Sequence, residues 1–313
     1  MNTNSLGRSV PTRSILKPAL FSVSYAGLWG QFQLDLPAFI SRAKALGYQG
    51  IMLMGKRPHA SILDLDDARR RQVRRQATDA GLEVACLAGY TSFTAGLECP
   101  EVPLIEIQVK YVEELARLAA DLGCGLVRVF SGYEADGHSP TALWNRCVDA
   151  LRWCADVAQP YGVTLGIQNH HDVGLHTDAL LEFLRDIGRP NVKLMFDAWS
   201  PALRGEDLYQ AAKKAAPFTV ATTCADYVRL PRYAYVSELV NYRELRPELV
   251  RAVPMGDGFI DYRAFFRGLT EGGFTGWVNY EMCSPLRGGG DETNLDACAG
   301  RFLDYLRQLG LLN

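Results

Sequence analysis

A chain of 313 residues with 48% apolar and 22% charged side chains has the balance of a folded globular protein, long enough for one large domain or two average ones. Its 33 basic and 35 acidic residues leave a net charge of −2, so no overall charge drives it toward nucleic acid or an anionic membrane. The same composition excludes collagen-like, disordered and disulfide-scaffold classes.

Met1 to Lys17 is polar, carries Arg8, Arg13 and Lys17, and lacks the continuous apolar stretch of a secretory signal; it is read as an N-terminal extension before a domain spanning 18–313. No later stretch offers the roughly 18 uninterrupted apolar residues that cross a bilayer. Eight scattered cysteines without a C-x-x-C pair suit small buried groups in a reducing compartment, and a cytoplasmic location is expected.

From residue 18 onward, short β-rich apolar runs alternate with stretches of helical period. The first predicted strand, Ala19–Ser24, leads to a helix near 35–46, and Gly50–Met54 to one near 66–80. Glu83–Ala88 precedes a helix near 104–122, Leu126–Ser131 one near 140–159, and Val163–Gln168 one near 176–187. Val192–Asp197 precedes 205–215, Thr219–Cys224 precedes 261–271, and Trp277–Glu281 precedes 292–309. Glycines stand where several of these helices should end, among them Gly47, Gly81, Gly123, Gly188, Gly272 and Gly310. Eight βα units with nothing left over predict an α/β fold, a single (β/α)8 TIM barrel. A doubly wound open sheet fits less well, because no G-x-G-x-x-G follows the first strand. The longest interruption, Tyr227 to Met255, is rich in Arg, Pro and Tyr and reads as a long loop, either a lid over the site or an interface insertion.

Barrel chemistry collects where strands run out at their C-terminal ends. The second strand runs into Lys56-Arg57-Pro58-His59, the third ends before Tyr90, and the fourth runs into Tyr133-Glu134. The fifth gives Gln168-Asn169-His170-His171, the sixth Asp197-Ala198-Trp199, the seventh Thr223-Cys224-Ala225-Asp226, and the eighth Glu281 followed by Arg287-Gly288-Gly289-Gly290. Closure of the barrel would bring Asp197, Glu281, Gln168 and the two histidines to one rim. Oxygen donors beside an imidazole suit one hard or borderline divalent ion. Singly, each residue has a plainer reading: an Asp after a strand often caps a helix, and a lone His is usually a satisfied surface or core group.

The Gln-Asn-His after the fifth strand and the Asp after the sixth resemble the xylose-isomerase-like sugar (phosphate) isomerase/epimerase superfamily. So do the stretch Pro254-Met255-Gly256-Asp257-Gly258-Phe259-Ile260-Asp261, the run Gly272-Gly273-Phe274-Thr275-Gly276-Trp277 and the terminal Glu281. The resemblance implies a TIM barrel holding one divalent metal (Mn²⁺, Mg²⁺, Co²⁺ or Zn²⁺) through Glu, Asp, His and Glu, at positions filled here by Gln168, Asp197, Thr223 and Glu281. Gln168 and Thr223 depart from that set, and an amide ligates without charge and cannot act as a base. By the same resemblance, the reaction is proton abstraction next to a metal-polarised carbonyl of a sugar, keto-sugar or sugar derivative, with Glu281 as base. His170 is the expected proton donor, ahead of His171, because its spacing matches the family's Glu-x-His. Cleavage of 3-keto-glycosides by β-elimination and a metal-free sugar-binding barrel are the alternatives.

For the substrate, Lys56, Arg57 and His59, with Arg229 and Arg232 in the long loop, could hold a phosphate, a carboxylate or neutral hydroxyls. Arg57 could equally pin its loop to Asp64 or Asp66, and the Arg287–Gly290 stretch could bind phosphate or merely turn. Tyr25, Trp29, Tyr90, Phe93 and Trp199 are candidate walls for a sugar ring, and Glu134 is a candidate substrate contact. Five histidines (His59, His138, His170, His171, His176) and no basic excess argue against a nuclease with a histidine-rich metal cluster, and no G-x-S-x-G elbow supports a serine hydrolase. The expected partners are therefore a small sugar and further copies of the chain, with neither nucleic acid nor membrane.

Overall fold

Local signals for starting and stopping helices set the frame. Asp35, Asp66, Ser139, Asp207, Asp261 and Asp291 each accept a hydrogen bond from the backbone N–H three residues on, satisfying donors that a helix leaves free at its first turn. Gly47 and Gly188 end their helices with φ of 88° and 58°, a left-handed geometry that a Cβ would disfavour.

The computed structural model describes residues 16–313, so the expected N-terminal extension lies, up to residue 15, outside the described residues. The chain begins β1 (Lys17–Phe21), α1 (Leu36–Leu46), β2 (Gly50–Met54), α2 (Asp67–Asp79), β3 (Glu83–Ala88), α3 (Leu104–Asp121). It continues β4 (Leu126–Val129), α4 (Pro140–Ala158), β5 (Thr164–Gln168), α5 (Thr177–Ile187), β6 (Val192–Met195), then α6 (Trp199–Arg204) and α7 (Leu208–Ala215). β7 (Ala221–Cys224) is followed by β8 (Asp226–Val236), β9 (Asn241–Val253), α8 (Tyr262–Glu271), β10 (Trp277–Tyr280) and α9 (Glu292–Gln308). All eight strands and eight helices of the expected alternation are present, with α6 as an added turn before α7.

The barrel strands are all parallel, in the order β6-β5-β4-β3-β2-β1-β10-β7. Between β6 and β7 the ring meets at a single bridge, Leu194 to Thr219, where Val220 N–H donates to the Leu194 carbonyl at 2.9 Å. The protein is thus a single (β/α)8 TIM barrel. Its strands are short and almost wholly buried, and the core runs continuously from the barrel interior to the helix layer. Buried hydroxyls tie strand ends together: Ser22 accepts from Met54 N–H and Ser24 from Met282 N–H, both at 2.9 Å. None of the eight cysteines is disulfide-bonded, and among the described residues no helix is long and apolar enough to cross a membrane.

One stretch corrects the sequence reading. Residues 227–255 do not form an irregular loop but most of an antiparallel hairpin, β8 with β9, registered from Asp226 opposite Val253 to Val236 opposite Asn241. The ladder slips between Leu230 and Arg232, where Pro231 has no N–H to give. Tyr233, Tyr235 and Tyr242 near its tip are exposed and the β8 positions between them only half-buried, so the outer half has no buried apolar face for sequence patterning to detect.

Asp226 fixes the base of this hairpin. Its carboxylate accepts from the backbone N–H groups of Tyr227, Gly256 and Gly258 at 2.9, 2.9 and 3.0 Å, clamping the Pro254–Asp261 turn to the end of β7. A Cβ added at Gly258 would lie 1.9 Å from Asp226 Oδ1. Gly258→Ala should therefore cost on the order of 2–4 kcal/mol through the displaced, unsatisfied carboxylate, read as a lowered urea midpoint. A midpoint equal to that of the unchanged protein would refute the clamp.

Candidate active site

The C-terminal ends of the barrel strands surround a cavity of about 780 Å³. Arg128 of β4, Gln168 of β5 and Glu281 just beyond β10 are among its polar groups, and Tyr90, Phe130 and Trp199 among its aromatic walls. Tyr227 and Val250, from the base of the hairpin, also face it.

Arg128 organises the polar part. It is only 3% exposed, and its guanidinium carbon sits 4.0 Å from the ring centre of Phe130 and 4.8 Å from that of Tyr90. Nη1 donates to Gln168 Oε1 at 2.7 Å. The Gln168 amide passes the interaction on, Nε2 donating to Asp197 Oδ2 at 2.7 Å and to Thr223 Oγ1 at 2.9 Å. Asp197 also accepts from Trp199 N–H at 3.1 Å, and Asn169 brackets its backbone through Asp197 N–H at 2.8 Å and Asp197 C=O at 3.0 Å. Arg128 Nε and Nη2 are buried with no protein partner.

The two carboxyls respond to this setting. Burial, opposed by hydrogen bonds from Gln168 and the backbone, pushes Asp197 up to about 6. Burial and the charge of Asp197, opposed by Arg128, push Glu281 up to about 7. The histidines go the other way: burial and Arg128 lower His170 to about 4, while burial, His170 and Arg128 lower His171 to about 3. Both imidazoles are therefore neutral at pH 7. Their Nδ1 atoms are 3.3 Å apart, and His171 is stacked between Phe130 and Tyr133 at centroid distances of 4.3 and 4.0 Å. Lys56 lies 3.9 Å above the Tyr90 ring, its pKa lowered by burial and Arg128.

Gln168, Asp197, Thr223 and Glu281, the expected metal ligands, do meet at this rim, but their arrangement does not suit a metal. The amide oxygen that would ligate is taken by a guanidinium, and Asp197 Oδ2 is taken by the amide nitrogen. Among the described residues no group of three or more His, Cys, Asp or Glu side chains is arranged to hold a metal ion. The side chains at the two departing positions, Gln168 and Thr223, are drawn into an internal hydrogen-bond chain instead.

Of the expected substrate contacts, Lys56, Tyr90 and Trp199 face the cavity, together with His170 and His171. Arg57, His59, Glu134, Arg229 and Arg232 are not among its lining residues. Arg57 is exposed and forms a two-pronged pair with Asp64, both bonds 2.8 Å, so it pins its own loop. His59 is buried, donating to the Leu34 carbonyl and stacked on Phe39. Glu134 is exposed, and Arg229 packs over Phe259 while Arg232 reaches the Pro247 carbonyl within the hairpin. The glycines after Arg287 serve a turn held by Asn294, and Tyr25 and Phe93 belong to the core. Sequence reasoning passed over Arg128. Its signal was a lone charge inside the apolar run Leu126-Val127-Arg128-Val129, in a barrel whose interior is otherwise filled by uncharged side chains.

Residues 40–305 match the family described as xylose isomerase-like TIM barrel. The chain is 26% identical over 181 residues to the 2-epi-5-epi-valiolone 7-phosphate 2-epimerase of Actinoplanes sp., covering 58% of this chain and 64% of that protein. It is 26% identical over 161 residues to the inosose dehydratase of Lacticaseibacillus casei, covering 48% of this chain and 51% of that protein. It thus spans about half to two thirds of the length of these curated relatives. The solved D-psicose 3-epimerase of Clostridium cellulolyticum H10 shares the fold, with a TM-score of 0.72 at 16% identity over 95% of this chain and 100% of that one.

Two tests follow from the geometry. A carboxyl raised in the folded state binds a proton that the unfolded chain has already lost, so it lowers stability progressively as pH climbs from the ordinary Glu range to about 7. Glu281→Gln should therefore melt progressively higher than the unchanged protein as pH rises from 5 to 8; a gap that does not change with pH would contradict the shifted carboxyl. Mn²⁺ should leave the melting temperature of the unchanged protein where it is in EDTA, while Gln168→Glu with Thr223→His should gain a metal-dependent increase. A metal-dependent increase in the unchanged chain would overturn the reading of the donor set.

Proposed function

The chain belongs to the xylose isomerase-like TIM-barrel family, and on that premise we propose that it is an enzyme which moves a proton at a carbon next to a carbonyl in a small sugar or sugar derivative, as an isomerase or epimerase does. The observation that carries this reading is Glu281: a carboxyl with no ion-pair partner among the described residues, lining the cavity beside the buried Arg128. The ionised carboxylate takes the proton from the carbon. The C–H electron pair becomes the new C=C bond, the carbonyl oxygen takes the negative charge, and return of a proton to a different carbon or face completes the reaction. With a pKa near 7, Glu281 both accepts and returns that proton near neutral pH. Tyr90, Phe130 and Trp199 supply apolar area for a sugar ring and keep the polar groups out of bulk water.

No step is routed through a metal, because the amide of Gln168 and the hydroxyl of Thr223 are committed elsewhere. The neutral imidazole of His170 contributes a hydrogen bond rather than an acidic proton, and Lys56 is the cavity group able to deliver one. One observation favours a second reading. With Gln168 in place of a second carboxylate, a single carboxylate faces the cavity, which suffices for β-elimination from a keto-sugar; one relative carries the name inosose dehydratase. The free cysteines support a reducing compartment such as the cytoplasm.

Proton abstraction is testable without knowing the product. A panel of keto-sugars incubated with the protein in ²H₂O should include at least one that takes up deuterium next to its carbonyl. Glu281→Gln should reduce uptake by 10³-fold or more while remaining folded, with a melting temperature no lower than that of the unchanged protein. Because the carboxylate is the active form, the exchange rate should rise about tenfold per pH unit below 7 and level off above it. Undiminished exchange in Glu281→Gln would remove the assigned base, and absence of exchange across the panel would favour a barrel that only binds.

A further inference from the structure

The guanidinium of Arg128 has two edges, and they are used differently. Nη1 is committed to Gln168, whereas Nε and Nη2 are buried and have no protein partner. Nε–H and the adjacent Nη2–H point the same way from the planar group and form the side-on fork that fits two coplanar oxygens. Leaving two charged donors buried and unmatched is unfavourable, so their pairing with a ligand recovers free energy that folding gives up. The fork is also fixed in direction. Gln168 anchors one corner, and the rings of Phe130 and Tyr90, at 4.0 and 4.8 Å from the guanidinium carbon, limit where the plane can turn. Arg128 is itself a lining residue of the cavity that Glu281 faces.

We propose that the Nε/Nη2 edge of Arg128 is the receptor for the paired oxygens of an α-hydroxycarbonyl substrate, holding carbonyl and neighbouring hydroxyl oxygen side by side without any metal ion. This inference rests on the reading of Glu281 as base for the identity of the ligand and extends it to the group that stabilises the charge. As the carbon is deprotonated, negative charge moves onto the oxygen facing the fork, and hydrogen bonds from a fixed cation strengthen at that moment. Arginine stays protonated throughout, so it stabilises the enediolate without trapping it by proton transfer.

The probe is glycolohydroxamate, a planar compound with two adjacent oxygens in the shape of an enediol, titrated by calorimetry into the full chain in excess EDTA. Propionamide, which keeps the carbonyl but has no neighbouring oxygen, is the control. The unchanged protein should bind the hydroxamate at least tenfold more tightly than the amide. Arg128→Lys, which keeps the charge but has no fork, should bring the two to within a factor of two or three, and Arg128→Met should abolish hydroxamate binding. Circular dichroism and melting of both variants report whether they fold; if Arg128→Met does not, the collapsed preference in Arg128→Lys decides. The proposal falls if the hydroxamate binds only after a divalent ion is added, if it does not bind at all in EDTA, or if Arg128→Lys keeps the full preference. Since binding needs no turnover, that failure would leave the deuterium-exchange result for Glu281 standing, and failure of exchange would leave the binding result standing.

Discussion

A charge inside a barrel has to be answered by the barrel. Arg128 emerges from β4 with only 3% of its surface exposed, and an uncompensated guanidinium there would cost several kcal/mol. The chain from Nη1 through the Gln168 amide to Asp197 and Thr223 is that answer, and it fixes much else. It sets which way the amide of Gln168 faces. The charge of Arg128 adds to burial in lowering His170 and His171, and it opposes the rise of the Glu281 pKa. The cavity's chemistry follows from one buried cation and the order in which its neighbours are engaged.

The hydrogen bonds in this chain are directional, and each amide atom has one role. Gln168 accepts at its oxygen and donates at its nitrogen, so it joins a cation to a carboxylate without adding charge of its own. A glutamate there would pair directly with Arg128 but would face Asp197 as a like charge across a shared site. Glutamine is the side chain of that length that satisfies both neighbours at once.

The fold was legible in the sequence because its determinants are local. Capping side chains, terminal glycines and the switch between strand and helix periods lie within a few residues of the elements they define, and the eight units could be read in order. The rim was legible for a related reason: in a barrel, the residues following each strand share one face. What each rim residue does is less local. Lys56, Arg57 and His59 stand within four positions yet go to the cavity, to Asp64 and to the Leu34 carbonyl. Their partners come from different segments, and one charge run gives no indication of the split. The hairpin was hidden by its exposed outer half and by Pro231. Arg128 was hidden by position: a single charged residue within a strand ordinarily reads as facing outward, and only the closed ring shows this one turned inward.

The departures from the family's ligand pattern also fit together when counted as charge. The expected set, two glutamates, an aspartate and a neutral histidine around a divalent ion, carries a net charge of −1. Asp197 and Glu281 ionised, with Gln168 and Thr223 neutral and Arg128 positive, carry −1 as well. Loss of one carboxylate and loss of the imidazole are therefore not two independent erosions of a site. With a monovalent guanidinium at the centre, a third carboxylate would be in excess, and with no metal to ligate an imidazole has less to offer than a hydroxyl small enough to accept from Gln168. On the proposed reading, the electrostatic balance that a polarised carbonyl needs is kept with a side chain, Arg128, at the centre in place of an ion.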